Sequence, residues 1–480
     1  MVEFDLSKPY CYYFNEICKI PHGSYNEKAL SDYFVEFAKE HNLKYVQDES
    51  YNVVMYKDAS AGYENAAPLM LQAHMDMVCE KNKSSDHDFE KDPLQLEIID
   101  GEWLSAKGTT LGADDGTGCA YMLAILADDS LAHPALECCF TVSEEVGLVG
   151  AQHLDLSLFK SRRMVSLDGG GEKVSSTSSS GGAEVHSILK TVYVENEDST
   201  YALNVTGLLG GHSGGEIHNE KGNSIKTAVR VLREMQLAGV KLNVVSIEGG
   251  LKRNAIPREC EVVFTSSADK KAIEELVTKA FKQAKAELEF SDAGVKIEVS
   301  ETERASKKMD DLTTKNLINY IFLVPNGFRH KSLALDGMTV ASLNLGVINT
   351  LENEIVMRTL IRSALASHTD HMLNMMYTLA ETFGVEVVVE NRYSGWNYKA
   401  ESALRGTLND VLMRIKGEPL IARATHGGLE CGIFASIGED MDIVTYGPIA
   451  EAIHTPDERL NLPSFDRSYE ILCELVKECK

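Results

Sequence analysis

The first 187 residues alternate between short apolar runs and amphipathic stretches. The runs "NVVMYK" at 52–57, "PLMLQA" at 68–73, "ALECCFTVS" and "RRMVSLD" predict buried strands. The 3.6-residue spacing of apolar positions in "NEKALSDYFVEFAKEHN" and the apolar stretch "GCAYMLAILADD" predict helices. Strands that alternate with helices in this way predict an α/β domain with a mainly parallel sheet.

The middle of the chain, from about residue 188 to about 392, shows a different order of elements. A strand, a helix, two strands, a helix and a strand are predicted between "YALNVTG" and "VKIEVSE". A similar order recurs from "TKNLINYIFLV" to "VEVVVENR". We interpret this region, residues 188–392, as an inserted α+β domain made of two βαββαβ-like units. The α/β character returns from about 393, so residues 1–187 and 393–480 are predicted to form one domain.

Composition and charge argue against several classes of protein. The net charge of −25 argues against a nucleic-acid partner, because phosphate binding needs a basic surface. No apolar run approaches the ~20 residues of a membrane span, and "MVEFDLSKPY" lacks the basic start and apolar core of a signal peptide. The ten cysteines contain no C-x-x-C pair and are expected to be reduced thiols. We therefore expect a cytoplasmic protein that binds neither nucleic acid nor membrane.

Acidic and imidazole side chains directly follow several predicted strands. The stretch "LQAHMDMVCE" ends a strand with His74 and Asp76, which share one face because side chains alternate along a strand. The stretches "GADDGTG", "TVSEEVG", "SLDGGG" and "EAIHTPDERL" supply the others: Asp114, Asp115, Glu144, Glu145, Asp168 and His454. Each has an ordinary explanation when taken alone: a buried histidine, helix-capping aspartates, a solvated loop or a turn.

Taken together, these residues predict a metal centre. The carboxyl ends of parallel strands meet at one edge of a sheet, which is where α/β active sites form. Several carboxylates gathered there repel one another unless cations neutralise them. Two histidines with three or four carboxylates, and no cysteine, are the ligand set of a hydrolytic zinc site. Two ions that share a bridging carboxylate would lie about 3.5–4 Å apart.

The same motifs resemble a known family. H-x-D, then G-A-D-D, E-E, a later aspartate and a C-terminal histidine form the pattern of the di-zinc peptidases that include carnosinases, tripeptidase T and glutamate carboxypeptidases. Within it, "LQAHMDMVCEKN", "LGADDGTG", "TVSEEVGLVGA", "GLLGGHSGGEIH" and "HTPDERL" are similar to the aminoacyl-histidine (Xaa-His) dipeptidase subgroup. The resemblance spans residues 1–480. It implies a di-zinc catalytic domain interrupted by a lid domain.

The resemblance also implies the metal ligands. His74 and Asp168 would bind one metal ion, Glu145 and His454 would bind the other, and Asp114 would bridge both. The ions would be two Zn²⁺, with Co²⁺ or Mn²⁺ as alternatives.

Two more residues would act beside the metals. Asp76 would accept a hydrogen bond from the second ring nitrogen of His74. Glu144 would be the general base, taking a proton from a metal-bridging water and passing it to the leaving amine. Many relatives have a lysine shortly after the bridging aspartate, whereas Gly116 stands here, as in the Xaa-His subgroup. The choice of Asp114 over Asp115 therefore depends on the motif match.

The stretch "GGHSGG" at 210–215 permits three interpretations. It fits the G-x-S-x-G pattern of a serine hydrolase, but that motif needs a strand before it and a helix directly after it. Here "YALNVTG" ends too early and "GEIHNEKGN" delays the next helix. A flexible glycine-rich turn without a role is the second interpretation. The resemblance implies the third, in which His212 is a lid residue that stabilises the oxyanion.

Three further positions resemble substrate-binding residues of the family: Asn254 in "KRNAIP", Arg362 in "LIRSA" and Gly428 in "THGGLECG". Arg362 could pair with the free carboxylate of a dipeptide, and Gly428 could let the backbone approach the substrate. A turn asparagine, a surface arginine and a turn glycine are the alternatives.

The expected function is metal-dependent hydrolysis of dipeptides with broad specificity, including Xaa-His dipeptides. A tripeptidase or an N-acyl amino-acid hydrolase on the same scaffold is the alternative. A non-catalytic binding protein is disfavoured, because a pure binder needs no base such as Glu144. The partner would be a small peptide substrate. Related bacterial enzymes form homodimers, so we expect either a homodimer or a single chain whose duplicated lid replaces a partner's lid.

Overall fold

The described residues of the computed structural model, 4–335 and 337–480, fold into two units. The first unit is discontinuous along the chain and comprises the residues up to Ser179, Trp396–Ala424 and Leu429–Lys480. The second, which we call the inserted unit, comprises Ser180–Gly395 and Thr425–Gly428.

A six-stranded sheet lies at the centre of the first unit. Its strands, from one edge to the other, are Lys44–Gln47, Val53–Lys57, Leu136–Thr141, Leu69–His74, Arg163–Ser166 and Asp442–Thr445. The last four run parallel, and the first two are antiparallel additions at one edge. Leu69–His74 and Leu136–Thr141 are buried along their whole length, as parallel strands covered on both faces are. The predicted α/β fold with a mainly parallel sheet is confirmed for this unit.

The helices of the first unit surround that sheet. They are Pro9–Cys18, Lys28–Glu40, Ala113–Ala127, Val149–His153, Ala403–Lys416, Cys431–Phe434 and Leu462–Glu478. Ala113–Ala127 is apolar on all sides and almost entirely buried, and it packs against the strand Leu69–His74. Tyr121 of this helix stacks on Phe465 with ring centroids 5.0 Å apart. The first and last of these helices, which were not predicted from the sequence, contribute buried side chains to the core.

A second, antiparallel sheet brings distant segments of the first unit together. Its strands, in spatial order, are Ala450–Glu451, Arg459–Asn461, Trp103–Ala106 and Leu96–Ile99. The last two form a hairpin, which the Asp100-Gly101 pair in "PLQLEIIDGEWLSAKG" predicts. Asp100 and Gly101 both have positive φ, as a type I′ turn requires. This pairing places the segment that carries His454 next to the segment that leads into Ala113–Ala127. A short parallel pair, Val174–Ser176 with Ile421–Arg423, is separate from both sheets.

The inserted unit is built on one antiparallel sheet. Its strands, in spatial order, are Lys296–Glu301, Ser199–Thr206, Cys260–Ser266, Leu242–Gly249, Thr339–Thr350, Glu354–Ser363, Gly181–Lys190 and Val385–Tyr393, with Gly327–Lys331 beside Thr339–Thr350. Its helices are Ser224–Leu237, Lys270–Glu287, Asp311–Leu323 and Ala366–Phe383. Short pairs join Tyr193–Glu195 to Lys307–Met309 and Gly211–His212 to Ala255–Ile256.

The repeat of element order has a structural counterpart in this sheet. The four strands on each side of the Gly249–Ile348 pairing, with two helices each, form one βαββαβ group. The first strand of the second group, Gly181–Lys190, precedes the first group in the chain. This strand pairs with Glu354–Ser363 and Val385–Tyr393. The whole first group therefore lies in the chain between the first strand of the second group and the rest of that group. The order of elements in the sequence had predicted that one group follows the other.

The limits of the two units differ from those predicted. The strand Gly181–Lys190 continues across the predicted boundary after residue 187, and Thr425–Gly428 belongs to the inserted unit. Thr425–Gly428 belongs to the inserted unit because this segment contacts distant residues of that unit. The amide of Ser180 donates to the carbonyl oxygen of Gly427 at 2.9 Å, and the buried His426 ring contacts the hydroxyls of Ser180 and Ser342 at 2.7 Å each. Such contacts between distant segments leave no pattern in the local sequence.

Candidate metal centre

His74 is the last residue of a central, fully buried strand of the first unit. Its Nδ1 lies 3.0 Å from the carbonyl oxygen of Asp76 and 3.6 Å from the Asp76 carboxylate. Its Nε2 lies 3.2 Å from Oδ1 of Asp114. One ring nitrogen is thus held by the backbone, and the other faces a carboxylate, which is the usual arrangement of an imidazole ligand.

Asp76 holds the loop that carries the two glutamates. Its buried carboxylate accepts hydrogen bonds from the amides of Glu144 at 2.9 Å and Glu145 at 3.3 Å, and from the hydroxyl of Ser24 at 2.7 Å. The expected contact with His74 involves the Asp76 carbonyl oxygen more closely than the carboxylate. Asp76 therefore orients His74 with its main chain and the Glu144–Glu145 backbone with its side chain.

The adjacent aspartates Asp114 and Asp115 have different surroundings. The two oxygens of Asp114 face two imidazoles: Oδ1 lies 3.2 Å from Nε2 of His74, and Oδ2 lies 3.3 Å from Nε2 of His454. Asp115 is buried, and its Oδ1 accepts the amide of Gly118 at 3.1 Å, as a capping aspartate does. The geometry favours Asp114 for the bridging position.

Glu145 and His454 meet at the open side of the cluster. Oε1 of Glu145 lies 2.9 Å from Nε2 of His454. Asp168 follows the strand Arg163–Ser166 and lines the same small cavity as Asp114. The structure thus brings the five predicted ligands together: His74, Asp114, Glu145, Asp168 and His454.

The two imidazoles carry raised pKa values in the metal-free protein. Burial opposes a charged ring at His74, but hydrogen bonds to Asp114 and Asp76 outweigh it and raise the pKa of His74. Hydrogen bonds to Asp114 and Glu145 raise the pKa of His454 to about 10. Without metal ions, both rings hold protons at neutral pH and partly balance the carboxylates around them.

The carboxyl groups of the cluster are perturbed in both directions. Burial favours the neutral acid at Asp114, but hydrogen bonds with His454 and His74 outweigh it and lower the pKa of Asp114. Burial, followed by the neighbouring charge of Asp114, raises the pKa of Asp168 to about 7. Burial also raises the pKa of Glu144 above its usual range. A cation bound among these carboxylates would favour their charged forms.

The donor set fits divalent cations. One ligand atom each from His74, Asp114 and Glu145 lie within 4.8 Å of one another. Oε1 of Glu145 is buried and lies 2.9 Å from Nε2 of His454. Two ligand atoms that face a common ion lie roughly 3–3.5 Å apart. Nitrogen and oxygen donors without thiolate suit zinc and similar ions.

Three buried glutamates near the site were not identified from the sequence. Glu27 accepts the amide of Ser143 at 2.9 Å and its hydroxyl at 2.7 Å, directly before Glu144. Glu430 accepts bonds from the side chains of Gln72 and Thr141, and burial raises its pKa to about 8. Glu458 accepts three backbone amides before Asp114. Nothing in the local pattern distinguishes these glutamates from exposed ones.

His212 lies in the inserted unit, in the short strand Gly211–His212. Its Nδ1 accepts the amide of Gly215 at 3.0 Å, so the proton of the neutral ring resides on Nε2. Partial desolvation, followed by the nearby Arg362 guanidinium, lowers the pKa of His212. The exposed ring is therefore neutral at pH 7 and presents an N–H donor.

The serine-hydrolase interpretation of the same stretch has no structural support. A single 3₁₀ turn, Ile217–Asn219, follows the motif where a nucleophile elbow requires a helix. The Oγ of Ser213 is buried and has no hydrogen-bond partner among the described residues, so no base activates it.

The other predicted substrate positions also lie in the inserted unit. Asn254 is exposed, and its carbonyl oxygen accepts the amide of Ser213 at 2.9 Å. Arg362 is only 8% exposed, and its Nε has no hydrogen-bond partner in the residues described. Gly428 is half-buried, and a Cβ there would lie 3.1 Å from the Tyr393 hydroxyl. A buried guanidinium without an acidic partner is costly, which distinguishes Arg362 from a plain surface arginine.

Comparison with known proteins agrees with this geometry. Residues 70–478 match peptidase family M20/M25/M40. The chain is 34% identical over 471 residues to a cytosol non-specific dipeptidase of Escherichia coli (strain K12), covering 97% of this chain and 96% of the relative. It is similar to the crystal structure of an aminoacylhistidine dipeptidase from Vibrio alginolyticus, with a TM-score of 0.90, 33% identity and coverage of 98% and 96% of the two chains.

A more distant structure shares the fold alone. The aminopeptidase PepT from Bacillus cereus has a TM-score of 0.56 at 15% identity, with 99% of this chain and 100% of that chain covered.

The chain belongs to peptidase family M20/M25/M40. It is a hydrolase, a metal-dependent peptidase, and the family resemblance drawn from the motifs is confirmed. No helix among the described residues is both long enough and apolar enough to cross a membrane.

Proposed function

We propose that this protein is a dipeptidase of broad specificity that holds two Zn²⁺ ions and accepts Xaa-His dipeptides among its substrates. The observation that carries the proposal is the convergence of His74, Asp114 and Glu145 within 4.8 Å, with Glu144 directly before one of them. The names of the two similar full-length proteins, a non-specific dipeptidase and an aminoacylhistidine dipeptidase, support the substrate class.

The metal ligands in this proposal follow the contacts of the site. His74 and Asp168 would hold one ion, Glu145 and His454 would hold the other, and Asp114 would be shared by both. The contacts of the two Asp114 oxygens support this division, since one faces His74 and the other faces His454. When bound, the ions supply Lewis-acid chemistry: they lower the pKa of water and polarise the scissile carbonyl.

Glu144 is the general base in this proposal. Glu144 directly precedes the proposed ligand Glu145 and holds neither ion in this proposal, so the Glu144 carboxylate is available to take a proton. Asp76 fixes its backbone through the 2.9 Å amide contact. Glu144 accepts a proton from the attacking water and returns it to the leaving amine.

Residues of the inserted unit bind the substrate in this proposal. The Nε2–H of His212 donates to the carbonyl oxygen as negative charge develops on it. The guanidinium of Arg362 binds the free carboxylate of the dipeptide. Asn254 and the Gly428 backbone complete the contacts. In support, three buried polar atoms of the inserted unit have no hydrogen-bond partner among the described residues: Arg362 Nε, Asn344 Oδ1 and Ser213 Oγ.

Small peptides are the proposed partners, and the protein is proposed to act in the cytoplasm. The negative net charge supports the absence of a nucleic-acid partner, and the cytosol dipeptidase relative supports the location. A homodimer and a monomer remain alternative assemblies, and sedimentation of the purified protein distinguishes them.

Metal analysis combined with a substrate panel tests the function. The purified protein should contain zinc, lose activity to a chelator and resist serine-directed reagents. It should hydrolyse dipeptides, including Xaa-His dipeptides, faster than tripeptides or N-acetylated amino acids. Preference for tripeptides or acetylated amino acids would identify the alternative function on the same scaffold. Hydrolysis without bound metal would contradict the proposal.

A further inference from the structure

Glu458 lies in the first unit and is 2% exposed. Its Oε2 accepts the amides of Leu111 at 2.7 Å and Gly112 at 3.1 Å, and its Oε1 accepts the amide of Ala113 at 2.9 Å. The hydroxyl of Ser105 donates to its carbonyl oxygen at 2.7 Å. One buried carboxylate thus binds three consecutive amides, and the next residue in the chain is Asp114.

Those amides need an acceptor from elsewhere in the chain. Gly112 has a φ of +69°, and Asp114 and Asp115 depart from helical φ and ψ, so a regular helix follows only after Asp115. The amides of Leu111, Gly112 and Ala113 therefore precede that helix, and unpaired buried amides are costly. Glu458 supplies the acceptor for these three amides.

The position of Glu458 in the chain links two ligand segments. It stands four residues after His454, and the strand Arg459–Asn461 begins directly after it. The same short segment therefore carries one proposed metal ligand and holds the backbone that carries Asp114. Asp114 and His454 face each other at 3.3 Å, so their separation depends on how these segments are joined.

We infer that Glu458 is a positioning residue that sets the backbone of Asp114 against the His454 segment and thereby determines the affinity of the site for its metal ions. The inference depends on the proposed metal function. Among the described residues, Glu458 has no hydrogen bond to the five proposed ligand side chains, and it holds the backbone before Asp114 through the three amides.

Glu137 provides a matched control in the same unit. It is 5% exposed, and its carboxylate accepts the amides of Lys160 at 3.0 Å and Ser161 at 3.0 Å. The amides that it holds are not adjacent to a proposed ligand. Glu137→Gln therefore measures the general cost of replacing a buried carboxylate that binds backbone amides.

The experiment compares Glu458→Gln with Glu137→Gln. The side chain introduced by Glu458→Gln has a single oxygen, so at least one of the three backbone amides would face the NH₂ group of that side chain. Zinc affinity is measured by competition with a chromophoric chelator, and the thermal midpoint of the metal-free protein is measured alongside. We expect Glu458→Gln to weaken zinc binding by about 10- to 100-fold, the usual effect of residues that support metal ligands. Glu137→Gln should lower the midpoint and leave zinc affinity within about twofold of wild type.

Two results would overturn the inference. One is an unchanged zinc affinity in Glu458→Gln, and the other is an equal loss of affinity in both variants. If Glu458→Gln does not fold, Glu458→Asp replaces it, and the same comparison of affinities decides. A wild-type protein that binds no divalent ion would instead refute the proposed function, so the two failures are distinguishable.

Discussion

The Nε2 atom of His454 lies 2.9 Å from Oε1 of Glu145, although the two residues are 309 positions apart in the chain. Oδ2 of Asp114 lies 3.3 Å from the same Nε2 atom. His454 thus contacts its proposed co-ligands Glu145 and Asp114, whereas His74 contacts the other oxygen of Asp114. The loss of His454 should therefore affect one ion more than the other.

Replacement of His454 by alanine should remove one ion. Metal content, measured by mass spectrometry after dialysis, should fall from about two ions per chain to about one, because His74 and Asp168 still hold the other. Activity should be largely lost, since both ions act on the reacting atoms in this proposal. Retention of both ions in His454→Ala would contradict the assignment of His454 as a ligand.

Replacement of Glu144 by glutamine should separate catalysis from metal binding. An amide cannot accept the water proton, so kcat should fall by roughly 10²- to 10⁴-fold. Metal content should stay at the wild-type value, because Glu144 is not a metal ligand in this proposal. Parallel loss of metal and activity would make Glu144 a ligand and would reassign Glu145.

Metal binding to the chelator-treated protein should release protons. In the metal-free protein the pKa of His454 is raised to about 10 and the pKa of His74 is also raised, so both rings are protonated at pH 7. The pKa of Asp168, raised to about 7, leaves that carboxyl about half protonated there. All three must lose their protons to bind metal, so roughly two to three protons should be released near pH 7.

The raised pKa values of His74, His454 and Asp168 determine whether metal affinity rises or falls with pH. Apparent metal affinity should rise with pH between 6 and 8, because fewer protons remain to be displaced as the pH increases. Titration calorimetry in two buffers with different ionisation enthalpies measures the number of protons directly. A heat of binding that is identical in both buffers would show that no proton leaves and would contradict this prediction.

Replacement of His212 by alanine should lower kcat strongly and change metal content little. The loss of one oxyanion donor typically costs roughly 10²- to 10³-fold in kcat. KM should change much less, because the contact strengthens in the transition state. The exposed His218, in the 3₁₀ turn after the same glycine-rich stretch, offers a matched control, and His218→Ala should retain activity. Near-normal kcat in His212→Ala would make "GGHSGG" a turn without a catalytic role.

Replacement of Arg362 by methionine should weaken the recognition of a free C-terminus. Charged hydrogen bonds contribute about 1.5–3 kcal/mol, so kcat/KM for a dipeptide should fall about 10- to 100-fold. A C-terminally amidated dipeptide lacks the carboxylate and should be cleaved equally by both enzymes. An equal fall for both substrates would show that Arg362 acts on something other than the carboxylate.

Much of the first unit was predictable from the sequence because its strands and helices are strongly patterned. Apolar runs predicted the central parallel strands, 3.6-residue spacing predicted a covering helix, and the Asp100-Gly101 pair predicted the hairpin. The candidate ligand positions were also identifiable, since acidic and imidazole residues follow the predicted strands. The choice of five among these candidates came from the family resemblance. Parallel strands bring their carboxyl ends to the same edge of a sheet. The predicted strand ends therefore indicated which residues, distant in the sequence, lie close together.

Other features depended on tertiary structure alone. The strand Gly181–Lys190 belongs to the second half of the inserted sheet because it pairs with Glu354–Ser363 and Val385–Tyr393. The spacing of apolar residues along a strand does not show which strand it pairs with. Asp114 and Asp115 differ in role only because one faces two imidazoles and the other caps a helix. Glu27 and Glu458 resemble surface acids in the sequence, yet each is buried on backbone amides of a distant segment. Local sequence determines which residues are apolar or charged, whereas the amide that a buried carboxylate meets is decided by how distant segments pack.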